Sequence, residues 1–213
     1  GEGPRVLLMA GNHGDEWEGQ LALGKLIRTL EPKNVRGKLT ILPSSNFPAA
    51  MAGMRTSPID DGNLNRSFPG NPDGTVTQQI AYFIEHSLMP KCQFHFDLHS
   101  GGSSLIYIPS SLCRLDPDPA RRQAQIARMR AFGAPIGYVS TSPQGDERTA
   151  TSAAMRQGVE HMGTELAGAG AVTPAALKIA EEGLLRVLAH IGVLHGLEIP
   201  PPPKTPTRLM RVE

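Results

Sequence analysis

Short apolar runs alternate along this chain with stretches of helical spacing, and no other feature limits the fold as much. Arg5-Val6-Leu7-Leu8-Met9-Ala10 has strand length, and residues 17–31 then place Leu23, Leu26, Ile27 and Leu30 at helical intervals. The alternation recurs. Strands are predicted at 38–43, 93–98, 104–109, 136–141 and 159–166, and helices over 119–132 and 149–157. Thr75-Val76-Thr77-Gln78 fits a capping box opening a helix with Ile80, Phe83, Ile84 and Leu88 on one face. Thr173-Pro174 reads as an N-cap with Pro at the first helical position. The helix it opens carries Leu177, Ala180, Leu184, Leu188 and Ile191. Strands alternating with helices imply an α/β fold, a mixed, mostly parallel sheet with helices on both faces. In such sheets chemistry collects at the carboxyl ends of the strands.

Composition narrows the function classes. A chain of 213 residues with a net charge of +1 is not built as a nucleic-acid binder or a polybasic membrane binder. Arg114, Arg121, Arg122, Arg128 and Arg130 have no aromatic platform and sit beside Asp116 and Asp118, so they read as a solvated helix face. No apolar run reaches the length of a membrane span. Two cysteines, Cys92 and Cys113, are too few for a disulfide framework and fit a reducing compartment. With no targeting pattern in the sequence, a cytoplasmic location is expected. Residues 46–74 are punctuated by eight Gly and Pro residues and read as one long functional loop. The run Pro200–Pro203 reads as a stiff linker.

Polar residues at predicted strand ends form a constellation. After the first strand comes Gly11-Asn12-His13-Gly14-Asp15-Glu16, which sets an imidazole and a carboxylate three residues apart. In Gln93-Phe94-His95-Phe96-Asp97-Leu98-His99, period two puts His95, Asp97 and His99 on one face, with His99 last. His13, Glu16 and His99 together make the two-imidazole, one-carboxylate set of a catalytic zinc, with a fourth position for water. Asp97 is placed to back His99, although a side chain two residues away need not reach the ring. His95 reads as a buried, hydrogen-bonded strand residue. His86, His161, His190 and His195 read as structural or surface residues. In the long loop, Arg55 and the pair Asn65-Arg66 supply groups that grip carboxylates, the alternative being ordinary surface ion pairs. Glu165, in Gly163-Thr164-Glu165-Leu166-Ala167-Gly168, sits among small and apolar neighbours that would raise its pKa and suit it to move protons; the alternative is a solvated strand end.

Four segments, GNHGDEWEG at 11–19, NLNRSFPG at 63–70, DLHSGG at 97–102 and TELAGAG at 164–170, together resemble the succinylglutamate desuccinylase/aspartoacylase family of zinc-carboxypeptidase-like enzymes. MRTSPIDDGNLNRSFPG at 54–70 is similar to the long loop of the branch that deacetylates N-acetyl-2,4-diaminobutyrate in ectoine breakdown. The resemblance implies one Zn2+ per chain held by His13, Glu16 and His99. It implies Glu165 as general base and then acid, Arg55 on the scissile carbonyl, and Asn65 and Arg66 on the substrate's α-carboxylate. The substrate would be a small N-acyl amino acid, most simply an acetylated one. Three departures stand out: the Arg55–Asn65 stretch is longer than in the aspartoacylases, position 95 is His where the family is apolar, and residues 136–160 match poorly. The expected organisation is a catalytic domain over 1–199, with 200–213 leading toward the family's C-terminal β domain.

Two other readings share these residues. A zinc carboxypeptidase uses the same metal set on peptides. A non-catalytic module would keep the fold without the chemistry, although every catalytic position here is filled. A second amine on a diaminobutyrate product would need an acid, for which Asp60 or Asp61 is the guess from loop proximity. Homo-oligomerisation is compatible with this reading and is not specified by it.

Overall fold

A computed structural model describes residues 2–141 and 145–212, so Glu213, the end of the expected linker, lies outside the described residues. Seven strands form one sheet: β1 (Arg5–Ala10), β2 (Lys38–Leu42), β3 (Phe94–His99), β4 (Ser110–Arg114), β5 (Ile136–Ser140), β6 (Glu160–Glu165) and β7 (Arg208–Arg211). Their order across the sheet is β2-β1-β3-β6-β4-β5-β7. Every neighbouring pair is parallel except β4 with β6. Among the described residues six α-helices accompany the sheet: α1 (Trp17–Thr29), α2 (Phe47–Ala52), α3 (Val76–Phe83), α4 (Pro119–Phe132), α5 (Ala150–Arg156) and α6 (Pro174–His190).

The central strands are buried on both faces, which is why β1 reads as a continuous apolar run. Val6, Leu8 and Ala10 point into one core with Leu23 and Leu26 of α1, Met129 and Phe132 of α4, and Leu184 and Leu188 of α6. Leu7 and Met9 point into the other, with Leu64, Phe68, Ala81 of α3 and Ala153 of α5. Helices therefore cover both faces. The predicted caps form: Thr75 and Gln78 make the full capping box of α3, and the Thr173 side chain accepts from the first turn of α6; Thr149 caps α5 in the same way without having been singled out in the sequence.

Four expectations change. Residues 104–109 are not a strand. Tyr107 N–H donates to Ala167 carbonyl and Leu105 N–H to Gly101 carbonyl, which folds the segment into a loop over residues 166–170. The strand follows at Ser110–Arg114, whose Ser-Ser-Leu-Cys-Arg sequence has little apolar signal. The long loop 46–74 is not wholly irregular, since it contains α2 and a 3-10 turn at Leu64–Arg66. Residues 208–211, whose Arg-Leu-Met-Arg reads as the start of a strand beyond the linker, pair in parallel with β5 as the edge strand of the same sheet. Arg128 does not belong to a solvated face. It is 7% exposed, is paired with Glu160, and lies over the Phe94 ring at 5.3 Å.

The approach of α1 to the sheet depends on Gly19. A Cβ there would stand 2.6 Å from Leu98 Cβ and 2.8 Å from its carbonyl oxygen. Gly19→Ala is expected to push α1 away from β3 and to lower stability by about 1–3 kcal/mol in urea unfolding, the usual range for overpacking. Wild-type stability in that variant would show that the helix is not seated this closely.

Candidate metal centre

The carboxyl ends of three adjacent interior strands, β1, β3 and β6, build the site. β1 passes through a turn in which Glu16 N–H donates to His13 carbonyl at 3.4 Å, so both side chains face the same way. β3 lies hydrogen-bonded between β1 and β6, which brings its last residue, His99, level with that turn. The Glu16 carboxylate then bridges two imidazoles: Oε1 is 2.7 Å from His13 Nδ1 and Oε2 is 2.7 Å from His99 Nδ1. One donor atom from each of His13, Glu16 and His99 lies within 4.8 Å of the others.

Each imidazole is fixed from behind through its other nitrogen. His99 Nε2 is 2.9 Å from Asp97 Oδ2, and Asn12 Nδ2 donates to the same oxygen at 3.0 Å. His13 Nε2 is 3.1 Å from Asn63 Oδ1. A carboxylate or amide oxygen behind a ligand imidazole fixes the ring and its tautomer, a recurrent feature of metal sites. Period two alone therefore identified a real contact in Asp97. Asn12 and Asn63 had no independent signal in the sequence, although both lie inside the quoted motifs.

The electrostatics follow from burying so many charges together. Burial pushes the Glu16 carboxyl up, but His99 and His13 outweigh it and hold the pKa at about 2. Burial also works against protonation of His99, yet the Asp97 and Glu16 carboxylates raise it well above the ordinary histidine value. Asp97 is held well below the usual carboxylate range by His99 despite its burial. Without a metal, the site is thus a compact ion cluster with a protonated His99 between two carboxylates.

The remaining candidates gather around this cluster. Arg55 reaches back from the long loop, and its guanidinium donates to Glu16 Oε1 at 3.2 Å. Glu165 ends β6 beside His99, and burial pushes its carboxyl up to about 7, as its small apolar neighbours led one to expect. A cavity of about 470 Å³ runs from His99 and Glu165 past Asn65 and Gly163 to His161 and Thr151. Asn65 Oδ1 accepts from Ala150 N at 2.9 Å, which leaves its NH2 as the donor end. Arg66 does not line the cavity and is paired with Asp146 at 3.1 Å.

Two expectations about polar residues need correction. Asp60 is not offered to a ligand: its carboxylate is taken up by Thr77 N–H and Thr77 Oγ1, both at 2.7 Å, and by Gly62 N–H at 3.2 Å. His161 is not a bystander, since it lines the cavity and its Nδ1 lies 3.0 Å from that of the buried His95.

Comparison with known proteins agrees with this geometry. The succinylglutamate desuccinylase/aspartoacylase catalytic domain matches residues 2–191. The chain is 43% identical over 205 residues to an N-alpha-acetyl-L-2,4-diaminobutyric acid deacetylase of Halomonas elongata, covering 96% of this chain and 60% of that protein. The crystal structure of a succinylglutamate desuccinylase/aspartoacylase from Rhodobacter sphaeroides superposes with a TM-score of 0.91 at 39% identity, over 100% of this chain and 64% of that one. The product-bound structure of the ectoine utilization protein EutE (DoeB) from Ruegeria pomeroyi gives 0.88 at 39% identity, over 100% and 63%. The chain thus spans under two thirds of the length of these relatives. Its fold, its motifs and the match over residues 2–191 place the chain in the succinylglutamate desuccinylase/aspartoacylase family.

Proposed function

We propose that this chain carries the chemistry of a zinc-dependent amidohydrolase that removes a short acyl group from an N-acyl amino acid, with Nα-acetyl-L-2,4-diaminobutyrate as the substrate. The observation that carries this reading is a His13–Glu16–His99 donor set whose His99 lines one cavity together with Glu165, a carboxyl of pKa about 7. The name of the Halomonas elongata relative supports this choice of substrate. A role in small-molecule metabolism accords with a cytoplasmic setting, and no helix among the described residues is long and apolar enough to cross a membrane.

The donor set fits Zn2+, with two imidazole nitrogens and one carboxylate, both imidazoles fixed from behind. One ion per chain would be held there, supplying a Lewis acid for the carbonyl and lowering the pKa of a water toward ~7. Glu165, in its ionised form, takes a proton from the attacking water as the new C–O bond forms. It returns that proton to the amide nitrogen as the C–N bond breaks, so acetate and a free amine leave. A carboxyl of pKa about 7 can both accept and release a proton near neutrality. Arg55 presents N–H donors where the carbonyl oxygen becomes anionic. The Asn65 NH2 and the Arg66 guanidinium hold the α-carboxylate.

Acetate release from zinc-loaded protein tests the reading. The panel holds Nα-acetyl-L-2,4-diaminobutyrate, N-acetylaspartate, N-succinylglutamate and a dipeptide. Preferential turnover of the first is expected. Faster cleavage of the dipeptide would replace the reading with a peptidase, and no turnover of any member with zinc bound would overturn it.

Three variants separate the roles. Glu165→Gln should abolish turnover while still binding one zinc per chain. Arg55→Ala should lower kcat by about 10²–10³, the usual loss for one oxyanion donor. Asp97→Asn should weaken zinc binding by about 10–100-fold, as loss of an outer partner does. Equal kcat in Arg55→Ala, or equal zinc affinity in Asp97→Asn, would remove that residue from its role.

Zinc binding should also depend on pH with a defined sign. His99 is protonated at neutral pH without metal, because its pKa is raised. An imidazole must be neutral to bind a metal, so loading expels that proton and affinity rises with pH until His99 is neutral by itself. Calorimetry in buffers of different ionisation enthalpy should record about one proton released at pH 7. No buffer dependence would contradict the ion cluster described above.

A further inference from the structure

The polar face of the sheet carries more than the metal site uses. Pairing of β3 with β6 sets His95 opposite His161, Asp97 opposite Gly163, and His99 opposite Glu165. Alternate residues of a strand share a face, so these pairs form three rungs leading from the strand ends into the interior. The outer rung holds a proposed ligand and the proposed base. On the middle rung Gly163 keeps a furrow open, since a Cβ built there meets nothing closer than His161 Nε2 at 3.5 Å. The inner rung is a pair of imidazoles that the proposed chemistry does not employ.

That inner rung is a hydrogen-bonded chain. His95 Nδ1 and His161 Nδ1 are 3.0 Å apart, and His161 Nε2 is 3.0 Å from Thr151 Oγ1 on α5. Burial keeps both imidazoles neutral, with pKa values of about 4 for His95 and about 3 for His161. Two buried atoms nearby, Asp97 Oδ1 and His95 Nε2, have no hydrogen-bond partner among the described residues. Thr151, His161, Gly163 and Asp97 line the same cavity as Glu165 and Asn65. Ala150 N, bonded to Asn65 Oδ1, joins the proposed α-carboxylate holder to the residue before Thr151.

We infer that the inner end of this furrow, the Thr151 hydroxyl backed by His161 and His95 with the Asp97 carboxylate nearby, recognises a primary ammonium at the end of the substrate's amino-acid side chain. When His161 Nδ1–H donates to His95 Nδ1, His161 Nε2 accepts from the Thr151 hydroxyl. The hydroxyl's lone pairs are then left for an N–H donor in the furrow. The unpartnered Asp97 Oδ1 calls for a donor. Asp97 and Glu165 line the furrow, and so does Arg114, whose guanidinium donates to Met155 Sδ at 3.3 Å and whose charge helps hold the His161 pKa down. The inference rests on the deacylase reading for the pose of the substrate, and it assigns specificity to residues outside the metal site.

The test uses zinc-loaded protein and two amino acids with the same stem, L-2,4-diaminobutyrate and L-2-aminobutyrate, which lacks the second amine. Binding of each is measured by calorimetry, and kcat/KM is measured for their Nα-acetyl forms. A site that hydrogen-bonds a polar group discriminates strongly against the analogue without it, so a preference for the amine of at least about tenfold is expected in both measurements. Thr151→Val, which keeps the shape and removes the hydroxyl, should bring that ratio close to one, and Thr151→Ser should restore it. Zinc stoichiometry reports that each variant is folded. Equal binding of the two amino acids by the wild type, or an undiminished preference in a folded Thr151→Val protein, overturns the inference. Turnover of both acetyl compounds at equal rates leaves the deacylase standing and removes this inference. A binding preference without turnover of either compound keeps the inference and removes the deacylase.

Discussion

Everything at the active edge of this molecule depends on β3 lying hydrogen-bonded between β1 and β6. Those two ladders set His99 level with the turn after β1 on one side and with Glu165 on the other. A slip of one residue in either register would turn His95, Asp97 and His99 to the opposite face, since side chains alternate with period two. The apolar residues between them hold the register: Phe96 and Leu98 fill the core against α1, α4 and α6, and are nearly fully buried. The same strand therefore presents a hydrophobic face to one layer and a row of ionisable groups to the other.

That row is costly to bury. Glu16, Asp97 and His95 are almost completely removed from solvent. A buried charge is tolerated only when paired and hydrogen-bonded. Here Glu16 is shared by two imidazoles, Ser100 N–H and Arg55, while Asp97 is held by His99 and Asn12. The arrangement still leaves Asp97 Oδ1, His95 Nε2 and Glu165 Oε2 without partners among the described residues. Two of these, on Asp97 and Glu165, belong to residues lining one cavity, and unsatisfied polar atoms so placed mark where a protein meets a ligand rather than where it stores stability.

Much of this was legible in the sequence because it is local. The β1 run, the Thr75–Gln78 capping box and the Thr173-Pro174 start are decided by a few adjacent residues, and the structure reproduces them. His13 and Glu16 are three apart, and His99 closes a strand, so their approach follows from turn and strand geometry. What stayed hidden depends on contacts distant in sequence. Ser110–Arg114 becomes a strand through pairing with β6 and β5, not through its own apolar content. Leu105, Ile106 and Ile108 look like a strand, yet they form an exposed loop held by backbone bonds to Gly101 and Ala167. His161 acquires meaning only once the register sets it opposite His95, 66 residues away along the chain. Asp60 shows the reverse case, an acid whose apparent availability ends when Thr77 caps it.

The central claim is that the edge formed by β1, β3 and β6 is a single-ion metal centre. Anomalous diffraction at the zinc edge from crystals of the zinc-loaded protein tests it most directly. The account predicts one peak per chain, with His13 Nδ1, His99 Nδ1 and a Glu16 carboxylate oxygen at about 2.0–2.2 Å, the usual zinc bond lengths. A peak on the His95–His161 pair instead, or no peak between His13 and His99 in protein that has taken up zinc, would contradict it.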